Sequence, residues 1–421
     1  MTSFRFIHAA DLHLDSPFRG LRQIPKHLYE NIRLSTFQAY EQLIDYCIEY
    51  AVDFLVISGD IFDLEDRSIK AQLYFLQGLK RLSQKGIPVY VVHGNHDPAD
   101  KLRGQLEYPP SVHFFSAAEV EQRIFLKNDY QVKILGRSYP TKAFKENIIQ
   151  DFQVERPTES FNIGLLHTNL DGDLLHDPYC PSHLKDLLAS NIDYWALGHI
   201  HQRKVIVENA PTIVYPGNTQ GRHSKETGEK GCALVEIDGK QVKRLTWLST
   251  AKIIWHEISL DITDRDSIPK IIDDLEELLD SKEAEAKQPE IWKVILMGNT
   301  PLHNLLHQDN QGEEIIEVLN EFFARKTPWI WISELCINTK PLNSVEELLK
   351  QETFLADYLQ QLQIKKEFGN FDENREMAAE LFTNRAIKKH LPELDDDDWD
   401  EIYQQAVNLG INYFLDEEEI K

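Results

Sequence analysis

One pattern constrains this chain more than any other, and it recurs five times in the first half. A short apolar run ends, and the next few residues are of kinds that bind metal ions. The segments are Asp11-Leu12-His13, Gly59-Asp60-Ile61-Phe62-Asp63, Gly94-Asn95-His96-Asp97, Leu166-His167-Thr168 and Gly198-His199-Ile200-His201. The runs before them, at Phe4–Ala9, Phe54–Ile57, Pro88–Val92, Phe161–Leu166 and Tyr194–Leu197, read as strands. Residues two apart on extended chain point the same way, so Asp-x-His and His-x-His each present two donors together. A single His at a strand end is ordinarily structural. Four imidazoles, two carboxylates and an amide, all at strand exits, read instead as a coordination set.

Helical patterns fill the gaps between the first three strands. After Pro25, the residues Leu28, Ile32, Tyr40, Leu43, Ile44, Cys47 and Ile48 recur at threes and fours, and Leu73, Leu76, Leu79 and Leu82 mark a second helix. Strand, helix, strand, helix, strand predicts a βαβαβ unit with a parallel sheet, whose site lies beyond the carboxyl ends of the strands. Further strands are expected at Val112–Phe115, Ile124–Leu126, Val132–Leu135, Lys204–Val207, Ile213–Tyr215, Cys232–Ile237 and Val242–Trp247, with a helix around Ser182–Ser190. Together with Phe161–Leu166 and Tyr194–Leu197 they predict a second sheet, mixed or antiparallel, packed on the first.

Near Ala251 the texture changes. Strands at Ile253–Leu260, Trp292–Met297 and Trp329–Ile337 alternate with helices at Ile268–Leu279 and Glu313–Phe323. From Ser344 the pattern is helical, through Leu348, Leu355 and Leu359, then Met377–His390 and Trp399–Phe414. The expected architecture is α/β: a two-sheet sandwich flanked by helices over residues 1–250, a smaller α+β domain over 251–342, and an acidic helical segment over 343–421. The apolar stripe of that segment either packs on the chain's own domains or receives a partner's helices. The alternation of Trp329 and Trp331 favours core packing over base stacking.

Charge separates the two halves. Residues 1–250 carry 28 Lys and Arg against 31 Asp and Glu, whereas residues 251–421 carry 17 against 38. The C-terminal part is therefore no phosphate clamp, while the near-neutral N-terminal part can hold an anion locally. No apolar run reaches the roughly 18 residues of a membrane span, and the apolar N-terminus is too short for a secretory leader. Cys47, Cys180, Cys232 and Cys336 form no CxxC pair and fit a reduced, cytoplasmic protein.

Histidine mixed with aspartate suits Mn²⁺, Fe²⁺ or Zn²⁺, whereas Mg²⁺ relies more on oxygen. Two such cations ~3.5–4 Å apart are a device for phosphoryl chemistry, clamping phosphate oxygens and generating hydroxide near neutral pH. The five segments, in this order, resemble the calcineurin-like metallophosphoesterases over roughly residues 4–203. The opening His8-Ala9-Ala10-Asp11-Leu12-His13-Leu14-Asp15-Ser16-Pro17 resembles the SbcD-type DNA repair exonucleases, in particular a YhaO-like branch. The module after residue 250 then resembles the capping domain of that family.

The resemblance implies a hydrolase that cleaves DNA phosphodiesters with two divalent cations, manganese foremost. It implies Asp11, His13, Asp60 and His201 on one metal, and Asp60, Asn95, His167 and His199 on the other, with Asp60 bridging. His96 stays off the metals and steers or protonates the leaving oxygen, with Asp63 holding it oriented and protonated. That pairing resembles the phosphoprotein-phosphatase branch, so a phosphoesterase acting on a small phosphodiester or a phosphoprotein stands as a second reading. Family precedent also implies a coiled-coil ATPase partner of the SMC or SbcC type that helps hold DNA, and a homodimer through the nuclease domain.

Other residues are less specific. Tyr215-Pro216-Gly217-Asn218 and the following Gly221-Arg222-His223 match a family loop near the site. There Arg222, His223 and Lys225 either meet a phosphate backbone or form an ordinary solvated turn. Asp97 reads as the cap of a turn, and His8 and His93 as core or supporting residues.

Overall fold

The computed structural model describes residues 3–21, 24–63, 68–98, 106–142, 144–170, 181–284, 286–308, 310–342, 348–367 and scattered positions between 398 and 414. The chain divides into two compact units. One comprises Met1–Glu257, Ala286–Trp292 and Lys326–Ser333, and the other Ile258–Glu285, Lys293–Arg325 and Glu334–Lys421. The helix expected at Met377–His390 lies outside the described residues.

The first unit opens with β1 (Ser3–Ala9), α1 (Lys26–Glu49), β2 (Phe54–Ser58), α2 (Ile69–Gln84), β3 (Val89–Val92) and β4 (Val112–Phe114). Strands β1 to β4 pair in parallel, as the βαβαβ spacing predicts. Ser68 caps α2 by accepting from the Ala71 amide, and Pro25 precedes α1, where a missing N–H costs nothing.

The second sheet holds β5 (Glu121–Lys127), β6 (Tyr130–Gly136) and β7 (Ser160–His167). After α3 (Leu184–Ala189) it adds β8 (Tyr194–Gly198), β9 (Lys204–Val207) and β10 (Thr212–Tyr215). Its order is β5-β6-β7-β8-β10-β9, parallel through its centre with an antiparallel strand at each edge.

Three strands expected there belong instead to the first sheet. These are β4 and the hairpin β11 (Gly231–Asp238) and β12 (Gln241–Ser249), which returns antiparallel beside β1 to give the order β12-β11-β1-β2-β3-β4. Apolar content marks a segment as a strand, but its partner is chosen by long-range burial.

Alternation along the strands builds three layers. Phe4 and Phe6 on β1 pack between the sheets with Phe54, Val56, Phe161, Ile163 and Tyr194. Ile7 and Ala9 face the other way, into the layer that holds Leu43, Phe75 and Leu79 of the helices. Beyond the second sheet, Trp195, Leu166 and Ile213 form a third cluster with Tyr139 and Leu187. Each such side chain contributes about 1.5–3 kcal/mol on full burial.

Residues 254–340 form a three-stranded sheet of β13 (Ile254–Asp261), β14 (Glu290–Asn299) and β15 (Ile330–Lys340), in that order, and the second unit holds α4 (Ile268–Glu283), the short α5 (His303–Leu306) and α6 (Gln311–Phe323). Helix α4 buries Ile271, Leu275 and Leu279, and α6 buries Ile315, Leu319 and Phe323, the period of an amphipathic face. Trp329 and Trp331 are buried, as their alternation predicts. Helix α7 (Phe354–Glu367) follows, and its Leu355 and Leu359 pack with Leu348, Val407 and Ile411. The described residues of the C-terminal apolar stripe thus pack on one another, within the segment itself.

Candidate metal centre

Strands β1, β2, β3, β7 and β8 end in the five loops singled out above. The loops adopt backbone conformations that side chains rarely take. Positive φ occurs at Asp11 (52°), His13 (43°), Asp60 (53°) and His199 (101°). Such a conformation costs a non-glycine residue about 1–2 kcal/mol, so the surroundings must enforce it. The Asp11 amide donates to the Gly59 carbonyl and the His13 amide to the Asp60 carbonyl, both at 3.0 Å. The His199 amide donates to the Asp11 carboxylate at 3.1 and 3.2 Å, and the His96 amide to Asp60 Oδ1 at 2.9 Å. Asp97 accepts from the Gly94 and Ile61 amides at 2.8 and 2.9 Å, so the expected turn cap also ties the β2 loop to the β3 loop. Glycine is required where these loops meet. A Cβ on Gly94 would lie 2.2 Å from Asp60 Oδ1, and one on Gly198 would lie 1.8 Å from the Ser58 carbonyl oxygen.

The side chains then converge. Donor atoms of Asp11, His13 and His201 lie within 4.8 Å of one another, and so do those of Asp11, Asp60 and His167. The ring nitrogens reveal what this centre needs. His167 Nδ1 donates to the Ser58 carbonyl at 2.9 Å, which leaves a lone pair on Nε2. That lone pair faces two more acceptors, Asn95 Oδ1 at 2.9 Å and Asp60 Oδ2 at 3.3 Å. His13 Nδ1 donates to Asp63 Oδ1 at 3.1 Å, and His201 Nδ1 donates to Glu226. Their Nε2 lone pairs therefore oppose each other at 3.2 Å, with Asp60 Oδ2 3.8 Å from the first. Acceptors aimed at acceptors repel unless a proton or a metal cation sits between them, and carboxylate or carbonyl partners on the far nitrogen are how metal-binding imidazoles are held. The donor set fits divalent cations. His199 comes to the same place, its ring edge-on to that of His167 at 5.2 Å.

Electrostatics agree. Burial draws the His167 pKa down, but Asp60, Asp11 and the Ser58 carbonyl together outweigh it and lift the group to about 9. Without a metal, this imidazole would keep a proton in the metal's place. Burial pushes Asp11 up to about 6, against the pull of His167 and His201. Burial also acts on Asp60, yet His167 and His96 hold it well below the usual carboxylate range. Burial, reinforced by Arg222, lowers His13 to about 4, the neutral form that ligation requires.

Beside the centre sits a second arrangement. His96 Nδ1 meets Asp63 Oδ1 at 2.5 Å, and the ring is 41 % exposed at the rim. Burial lowers the His96 pKa, but Asp60 and Asp63 raise it further, so it lies above the ordinary value. Asp63 does more than the sequence suggests. It also accepts from His13 Nδ1, from Ser16 Oγ, and from Arg222 at 3.1 Å, so one carboxylate joins a predicted metal ligand to the predicted acid. Glu226 was missed from sequence. It is buried and accepts from the His201 ring, from the Arg222 amide at 2.7 Å and from His223 Nε2 at 3.3 Å. Only its position soon after the Gly-rich loop hints at it.

Of the candidate phosphate contacts, Arg222 and His223 are already engaged by these carboxylates, whereas Lys225 is exposed. His8 is fully buried between the sheets, 3.0 Å from the Tyr194 hydroxyl and 3.2 Å from the Leu197 carbonyl, as a core histidine. His93 is also buried, stacked on Phe114 with ring centroids 5.3 Å apart.

Comparison with known proteins places these features in context. Residues 4–203 match the calcineurin-like phosphoesterase family, and residues 255–340 match the middle domain of metallophosphoesterase YhaO. The chain is 38 % identical over 333 residues to a protein of Bacillus subtilis described as an uncharacterized metallophosphoesterase YhaO, covering 79 % of this chain and 81 % of that one. It is 28 % identical over 253 residues to a DNA double-strand break repair protein Mre11 of Sulfurisphaera tokodaii, covering 57 % of this chain and 61 % of that one. It is 23 % identical over 396 residues to the Mre11 protein of Sulfolobus acidocaldarius, covering 91 % and 96 %.

Proposed function

Because the chain belongs to the YhaO-like family of calcineurin-like metallophosphoesterases, we propose that it is a two-metal DNA nuclease, an exonuclease of DNA repair. The observation that carries this reading is the set of imidazole and carboxylate groups aimed at one another around Asp60, with His96 held by Asp63 at the rim. The likeness to Mre11 repair proteins supports DNA as the substrate. One cation would be held by Asp11, His13, Asp60 and His201, the other by Asp60, Asn95, His167 and His199. When bound, two such ions clamp phosphate oxygens, lower the pKa of a water and offset the charge that develops. Mn²⁺ suits the mixed nitrogen and oxygen donors.

The chain's own residues do the rest. In hydrolysis a water oxygen bonds to phosphorus as the bond to the leaving oxygen breaks, and that oxygen needs a proton. His96 supplies it from Nε2, because Asp63 occupies Nδ1 and favours the charged ring. Arg222, fixed on the same carboxylate, keeps a positive charge beside the departing group. Lys225 remains a contact for a flanking phosphate. A coiled-coil ATPase partner and a homodimer complete the proposal, and the partner offsets an acidity that weakens DNA binding by this chain alone. The cytoplasm is the proposed compartment. Among the described residues, no helix is long and apolar enough to cross a membrane.

The test is cleavage of end-labelled single- and double-stranded DNA with added Mn²⁺, beside an Asp60→Asn control and a base-free dye phosphodiester. DNA shortening that needs Mn²⁺ and disappears with Asp60→Asn supports the nuclease and reveals its polarity. Hydrolysis of the dye alone, even with an ATPase partner added, overturns it. The close Asp63–His96 pair would then favour the second reading, a phosphoesterase for a small phosphodiester or a phosphoprotein.

A further inference from the structure

A cleft of about 340 Å³ opens beside the metal centre, between the loop after β1, the start of α1 and the start of α2. Asp15, Phe18, Tyr29, Ile32, Arg33 and Ser68 line it. Its wall is continuous with the proposed acid, since the neighbouring Ser16 hydroxyl donates to Asp63, which holds His96. The volume lies in the range that encloses a small organic group. Phe18 is half-buried and Tyr29 is 47 % exposed, so aromatic surface borders the opening. Asp15 has a side chain only 5 % exposed, and its Oδ1 lacks a hydrogen-bond partner among the described residues, with Arg33 Nε 3.7 Å away. The Arg33 side chain is itself 60 % exposed. Asp15 also sits at φ 63°, although it belongs to none of the donor groups.

Aromatic rings beside an exposed guanidinium suit a flat, polar-edged heterocycle. The ring faces stack on a base and the planar guanidinium reads its edge. We infer that this cleft is a nucleobase subsite, which seats the nucleoside next to the phosphate held at the metal centre. The inference rests on the phosphodiesterase reading and adds to it a preference for nucleotides over base-free phosphoesters. Asp15 anchors Arg33 over the cleft, and Tyr29 and Phe18 supply the stacking surface.

The test is calorimetric titration of the Mn²⁺-loaded full chain with 2′-deoxyadenosine 5′-monophosphate and, separately, with inorganic phosphate. The wild type should bind the nucleotide at least about fivefold more tightly than phosphate, the lower end of what stacking contributes. Tyr29→Ala and Arg33→Ala should each remove most of that advantage and leave the phosphate affinity within about twofold. Both side chains are exposed enough that thermal midpoints should stay close to wild type. A nucleotide no tighter than phosphate, or an advantage that survives both substitutions, overturns the subsite. The titration needs no turnover. A chain that shows this pattern but cleaves no DNA loses the nuclease reading and keeps the subsite, and the converse result does the reverse.

Discussion

Glu226 and His8 show how single side chains outside the metal-ligand set act, the first on the centre and the second on the core. Glu226 accepts a hydrogen bond from His201 Nδ1–H and so leaves Nε2 to face the metal side. Removing such a partner typically weakens metal binding about 10–100-fold. Glu226→Ala should therefore raise the Mn²⁺ dissociation constant by that factor, read by calorimetry, with little change in far-UV circular dichroism. His8 works through burial. Burial lowers its pKa to about 3, against 6.5 for the ordinary group, so the unfolded chain binds more protons between those values. Stability contributed by a neutral His8 is present above pH 6.5 and is lost as the pH falls towards 3. In a series of thermal melts, His8→Gln should be less stable than wild type at pH 7 and lose less between pH 6.5 and 4. An acid limb as steep as that of wild type would show that His8 does not set it.

At the scale of elements, the centre exists because strand ends from both sheets approach more closely than side chains allow. Gly198, at the end of β8, is the tightest case, with a would-be Cβ 1.8 Å from the Ser58 carbonyl oxygen and 2.9 Å from His167 Nδ1. Neither atom sits on a flexible end, so the β2 and β8 exits must separate to admit a methyl group. Gly198→Ala should cost about 2–4 kcal/mol in urea unfolding and weaken metal binding as His167 shifts. Gly20→Ala provides the contrast. It has a φ of 78° but nothing within 4 Å of a Cβ, so its cost should be about 1 kcal/mol, with metal binding unchanged. Helices and strands were readable from periodicity because that signal is local. The membership of β11 and β12 in the first sheet was not, because the partner of β1 is chosen some two hundred residues away, in the register Phe6 to Val235.

For the whole molecule, the division into two units, each with its own buried residues, makes a thermodynamic prediction. A ligand that binds only the folded form stabilises it by RT ln(1 + [L]/Kd), about 2.7 kcal/mol at a hundredfold excess over Kd. The proposed metal ligands all lie in Met1–Glu257. Scanning calorimetry should show two transitions, of which Mn²⁺ raises one and leaves the other in place, and chelation should reverse the shift without unfolding the chain at room temperature. A joint shift of both would mean that the units unfold together. The uneven charge, with 17 basic against 38 acidic residues after position 250, adds that DNA affinity should rise when a basic partner is supplied.

What the sequence determined by itself is the inventory and its order. Donor types at strand exits, with the alternation of β1 and the three-and-four spacing of α1, are local properties, and local chemistry states them without a structure. The dual role of Asp63 and the carboxylate of Glu226 behind His201 were decided only by tertiary structure. Each depends on residues far apart in the chain meeting within about 3 Å, as Arg222 meets Asp63 and His201 meets His13. Such meetings are set by how two sheets pack, which no window of sequence contains.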